Sequence, residues 1–142
     1  MEDLQTGDIL LFSHVPNTNG VFQMFSNFLD FVIKYLTNSK YNHIGIVVRD
    51  PCFTYGEKLR GLYLLESNYT DSPDSEDNEI KFGVQLVPLN KAFVNNYSNV
   101  YCRKLECTRD DEFYRKLDKI HMEIHNKKYD TNVIDWIKAA FG

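Results

Sequence analysis

Apolar residues in this chain come in short blocks separated by polar breaks, and the spacing inside each block predicts its element. The turn Thr6-Gly7-Asp8 leads into Ile9-Leu10-Leu11-Phe12, a continuous apolar run that predicts a buried strand. Similar short runs, rich in branched and aromatic residues, predict strands over 43–48, 62–67, 84–87 and 100–105. Two stretches carry a helical period instead. Over 21–36 the polar residues Gln23, Ser26, Asn27, Asp30 and Lys34 recur at steps of three and four, leaving a broad apolar face that includes Phe22, Phe25, Phe28 and Leu29. Over 108–125, Phe113, Leu117, Ile120 and Ile124 share one face, with Thr108 and Asp111 suited to the helix start. Lys127-Lys128-Tyr129-Asp130 predicts a turn, and 132–141 the beginning of a last helix.

Strands and helices in this order predict one α+β domain with a mainly antiparallel sheet and helices packed on it, and 142 residues suit a single core. The broad apolar face of 21–36 is expected to pack on that sheet, with a peripheral membrane contact or a partner groove as its other uses. The stretch 70–79, with Asp71, Asp74, Glu76 and Asp77 around Pro73, predicts a solvated acidic loop. A basic partner or a divalent cation is its other use, although it lacks the glycine and the ligand order of a calcium-binding loop.

A formal net charge of −4 and the absence of a basic stripe argue against nucleic acid as a partner. Three cysteines at irregular spacing and an N-terminus without a signal-peptide pattern predict a reducing, intracellular setting, the cytoplasm, or a host cytoplasm or virion for a viral chain. The apolar stretch 21–37 is interrupted by Asp30 and Lys34 and is too short to span a bilayer.

The chemistry suggested by the pattern starts at His43, a histidine at the mouth of the apolar run Ile44-Gly45-Ile46-Val47-Val48. The following strand-like run ends on Glu66. Antiparallel neighbours bring side chains to about 5 Å, so a base and a carboxylate that orients it can meet there. A partly buried histidine that merely hydrogen-bonds an acid has the same pattern. Gly45 inside a strand predicts a close approach by another group, a substrate included, or a bulge. His121 and His125 have the four-residue spacing of zinc ligands, but the intervening glutamate is misplaced for the zinc-peptidase motif and no third ligand stands out in the sequence. They are expected on a solvated helix flank, with no metal and no other cofactor, and a zinc-dependent enzyme using both is the weaker alternative. Cys102 is expected in a strand core and Cys52 and Cys107 beside loops, none at the helix N-terminus that activates a thiol.

The order Thr6-Gly7-Asp8-Ile9-Leu10-Leu11-Phe12, Asn42-His43-Ile44-Gly45-Ile46-Val47, Leu64-Leu65-Glu66-Ser67 and finally Lys128-Tyr129-Asp130 resembles the circularly permuted NlpC-like branch of the papain-like amidases, which has bacterial and poxviral members. That resemblance implies a papain-like fold and a thiol hydrolase or acyltransferase acting on an amide or ester of a peptide or lipid acyl group. In it His43 corresponds to the general base and Glu66 to its orienting residue, while Asp8, Asn42, Gly45, Tyr129 and Asp130 fall on motif positions that border the site or the substrate. The family's nucleophilic cysteine follows the tyrosine-aspartate turn at the start of a helix, and this sequence has no such cysteine before Gly142. The expectation is therefore a domain lacking its nucleophile helix, with an inactive binding protein of the same fold, or one of this chain's own cysteines substituting from a new position, as the alternatives.

Overall fold

The protein is described by a computed structural model covering residues 3–14, 38–53, 58–69, 72–93 and 97–129. The helices expected over 21–36 and 132–141 lie outside the described residues, as does Asp130. Each strand-like block of the sequence forms a strand: β1 (Ile9–His14), β2 (His43–Arg49), β3 (Leu62–Tyr69), β4 (Phe82–Pro88) and β5 (Tyr97–Arg103). They make one sheet in the order β4-β3-β2-β1-β5, every pair antiparallel. Two short helices complete the described fold, α1 (Leu89–Ala92) and α2 (Asp111–Ile124), so the architecture is α+β.

Register decides which residues share a face, because successive strand side chains point to opposite sides. His43, Gly45 and Val47 lie on one face, and through Phe12↔His43, Gly45↔Glu66, Val47↔Leu64 and Glu66↔Gln85 that face also holds Phe12, Leu64, Glu66 and Gln85. Its apolar core joins Leu10, Phe12, Val47, Leu64 and Val87 to Leu89 and Ala92 of α1. Pro88 ends β4, and the turn of helix it starts closes this core. The opposite face carries Val48, Leu65 and Leu86 with Phe53, and α2 packs there through Leu117 and Ile124.

Four expectations are corrected. Helix α2 starts at Asp110 rather than Thr108, because the Asp110 carboxylate accepts from the Phe113 amide at 2.9 Å. The preceding Arg109 is tied to the Thr6 carbonyl, which fixes the chain's approach to that cap. Second, the buried stripe of α2 runs through His121, which is fully buried, while Ile120 is 52% exposed. Both 120 and 121 lie within reach of a stripe through 113, 117 and 124, and it is the contacts of His121 with Phe53 and Glu76 that turn 121 inward.

Third, the acidic loop is not a free excursion. Asp74 is buried, accepts from the Glu76 amide at 3.0 Å and the Leu86 amide at 3.3 Å, and pairs with Lys81 at 2.6 Å. The Ser75 amide donates to the Leu86 carbonyl, so the loop folds back over β4. Composition alone missed this because one internal lysine and the β4 backbone provide partners for the buried carboxylate. Fourth, 127–129 is an edge segment and not a turn. Lys128 bridges Gly83, the Val84 amide donates to the Lys127 carbonyl and the Tyr129 amide to the Phe82 carbonyl. A side chain at 83 would put its Cβ 2.3 Å from the Lys127 carbonyl oxygen, so glycine is what lets the edge pair form.

Candidate active site

The site is built from the first residue of β2 and the fifth residue of β3. Glu66 pairs with Gly45, two residues along from His43 on the same face, and a carboxylate on a three-bond stem bridges that diagonal readily. His43 Nε2 lies 2.6 Å from Glu66 Oε2. The histidine side chain is 14% exposed and the glutamate 2%, so the carboxylate is enclosed and the imidazole is partly exposed. Phe12 in β1 packs against the imidazole, ring centroids 5.4 Å apart, and limits its tilt.

The other carboxylate oxygen, Oε1, accepts from the Gln85 amide nitrogen at 3.2 Å. Gln85 is buried, directly opposite Glu66 on β4. Sequence reasoning missed it. The signal was a polar residue within Val84-Gln85-Leu86-Val87, but only the register shows that its side chain points to the glutamate rather than to solvent. A buried carboxylate with both oxygens engaged holds the imidazole in one orientation and commits Nε2 to it. Nδ1 is then the nitrogen that would exchange a proton with a nucleophile.

The remaining motif residues divide between support for this centre and places apart from it. The Asn42 amide donates to the Phe12 carbonyl at 3.1 Å and so extends the β1–β2 ladder to the base of His43. Gly45 adjoins the pair, but a Cβ there would stand 2.6 Å from Leu64 Cγ and Cδ1, so its close approach is to the core leucine and not to a substrate. Asp8 lies four residues along β1 from Phe12, roughly 13 Å from the strand partner of His43. It is buried, accepting from the Gln5 and Leu105 amides, Lys104 and Arg109. Burial pushes its carboxyl pKa upward, but the hydrogen bonds from Gln5, Leu105 and Lys104 outweigh burial and hold it below the usual carboxylate value. Asp8 thus ties the start of β1 to the end of β5 and the approach to α2. Tyr129 stacks on Phe82 at 4.8 Å at the β4 edge, and Phe82 belongs by register to the face opposite His43.

All three cysteines are described and exposed. Cys102, expected in the core, shares a row with Leu10 and Gly45, placing it two strands (roughly 10 Å) from β2 and two residues along from the level of His43. Burial of its sulfur and the nearby Asp8 carboxylate raise its pKa, the reverse of an activated thiol. Cys52 follows the far end of β2, and Cys107 the end of β5. Among the described residues no thiol stands beside the imidazole.

A pocket of about 710 Å³ opens at Arg49, Phe53, Arg109 and Tyr114, the end of β2 roughly 20 Å from His43. Its two guanidinium groups are bound to the Leu4 and Thr6 carbonyls, so the pocket is braced by them and lies apart from the histidine. Among the described residues no helix is long and apolar enough to cross a membrane. Comparison of the sequence with protein-family models and with curated proteins gives no match.

Proposed function

We propose that this chain provides the base and orienting residue of a papain-like thiol hydrolase or acyltransferase, acting on an amide or ester bond of a peptide or lipid acyl substrate. The observation that carries this reading is the His43–Glu66 contact at 2.6 Å, backed by Gln85 on the other carboxylate oxygen. In the proposed reaction His43 Nδ1 accepts the proton of a thiol as its sulfur attacks the acyl carbon. The resulting imidazolium is stabilised by Glu66 and then donates that proton to the departing amine or alcohol. The acyl group, now a thioester on the sulfur, passes to water or to an acceptor. Cys52, Cys102 and Cys107 lie away from the imidazole, so the attacking thiol in this reading is a co-reactant, a small thiol or a cysteine of a binding partner.

A small thiol added from solution tests the base separately from the nucleophile. With an activated acyl ester and the added thiol, the protein is expected to accelerate thioester formation roughly 10²-fold, the scale of general base catalysis. His43→Ala should abolish the acceleration while the far-ultraviolet circular dichroism is preserved. Equal rates in the parent and His43→Ala would overturn the assignment. A second reading, a binding domain that retains this groove without chemistry, is favoured by the position of the three thiols. It predicts that the parent gives no acceleration above the thiol alone.

A further inference from the structure

The stacking of the acidic loop on the end of α2 brings together side chains far apart in sequence. Glu76 comes from the loop, His121 from the last turn of the helix and His125 from its C-terminal cap. His121 Nε2 is 2.9 Å and His125 Nδ1 3.5 Å from the same oxygen, Glu76 Oε2. One donor atom from each residue lies within 4.8 Å of the other two. A tetrahedral ion with bonds of about 2.0–2.1 Å holds its ligands roughly 3.3 Å apart, so the two contacts to Glu76 are near such an edge, and the two imidazoles, within 4.8 Å of each other, would draw together on an ion.

We propose that Glu76, His121 and His125 bind a divalent transition-metal ion of the zinc class, clamping the acidic loop to the end of α2. The third ligand is what the helical histidine spacing lacked in sequence, and it comes from a loop 45 residues upstream of His121. A simple histidine–carboxylate hydrogen bond leaves polar atoms over. Glu76 Oε1 and His121 Nδ1 are both buried without a hydrogen-bond partner. A neutral His121 that donates from Nε2 to Oε2 leaves Oε1 of Glu76 as a buried acceptor with no donor, which a cation would fill, whereas the partnerless Nδ1 is common to both arrangements and favours neither. The ion can also engage Glu76 Oε1 as the second oxygen of the same carboxylate.

The surroundings favour a cation held in a fixed geometry. The His121 ring lies flat on Phe53, centroids 3.7 Å apart and planes within 3°, which sets the direction of its nitrogens. The Glu76 side chain is 4% exposed and that of His125 17%, so an ion would be enclosed on the loop side and open on the His125 side. Asp74 and Asp77 both contact the single Lys81, leaving the loop with excess negative charge. Lys81 also donates to Asn126, fastening the loop to the turn directly after the helix. Two imidazoles and a carboxylate suit zinc, cobalt or nickel rather than magnesium or calcium, which prefer oxygen donors.

The test uses the full chain, purified without a histidine tag and with its exposed thiols alkylated, titrated with Zn²⁺ against a chromophoric chelator. The expected result is one ion per chain and a melting temperature that rises with Zn²⁺ but not with Mg²⁺. His125→Ala and Glu76→Gln should each weaken binding by at least about 100-fold, since losing even an outer partner of a metal ligand costs 10–100-fold. His125 sits at the partly exposed cap, so its alanine variant is expected to keep the fold, checked by circular dichroism. Co²⁺ bound to unalkylated protein should show visible ligand-field bands without a thiolate charge-transfer band. Unchanged affinity in both variants, a thiolate band, or no Zn²⁺-dependent rise in melting temperature would each overturn the site.

Discussion

Glu66 is acidic and almost fully enclosed, and its place in a sheet depends on what meets each oxygen. His43 takes one and Gln85 the other, so the pair is a three-residue arrangement across β2, β3 and β4. Gln85→Leu keeps a similar volume and leaves Oε1 without its donor. Urea unfolding should therefore show a loss of about 1–3 kcal/mol, the scale of an unsatisfied buried polar atom, and no loss would mean that Oε1 finds another donor. His43 and Glu66 were legible from sequence because each stands at the end of an apolar run. Gln85 was not, because a glutamine in a strand has the same appearance whether it faces a carboxylate or water, and only the strand partner distinguishes them.

At the scale of elements, period and composition carried the strands well and the connections poorly. The five strand-forming blocks and α2 were readable because branched residues and a helical stripe mark them directly. The loop over 72–81 and the edge segment 127–129 were not, since both are ordered by backbone and lysine contacts with no signature in composition. The solvated flank assigned to His121 failed for the same reason, as its partner comes from that loop. A different dependence joins β2 to β3, where Leu64 occupies the space a side chain at 45 would need. Gly45→Ala should destabilise by overpacking, about 1–3 kcal/mol, and Leu64→Ala by a cavity, about 2–5 kcal/mol. Combining them should give a loss smaller than the sum by about 1 kcal/mol or more, because each change relieves the other. Strict additivity in the double-mutant cycle would show that the two positions do not compete for that space.

For the whole molecule, the two ends of the sheet have separate duties. The His43 end holds the histidine–glutamate pair. The Asp8 end holds the chain together, joining the turn before β1, the end of β5 and the approach to α2 through Gln5, Lys104, Leu105 and Arg109. The Asp8 carboxyl titrates below its ordinary 3.8 in the folded protein, so the folded state favours the charged form relative to the unfolded chain. The stability this confers is fully present above the unfolded value and is lost as pH falls through the lower, folded one. Asp8→Asn keeps the shape but turns a donor toward Lys104 or Leu105 and removes the charge. It should be less stable at pH 7 by about 2 kcal/mol, the scale of hydrogen bonds to a charged group. Its stability should also fall less steeply than the parent's below pH 4, so the two unfolding curves converge in acid. Curves that stay parallel from pH 7 to pH 2 would remove Asp8 from the groups that control acid unfolding, while a parent and variant equally stable at pH 7 would show that Lys104 and Arg109 find other acceptors. The added-thiol rate measured on the same variant separates the two ends: with Asp8 roughly 13 Å from the level of His43, Asp8→Asn should leave that rate unchanged wherever the protein is folded.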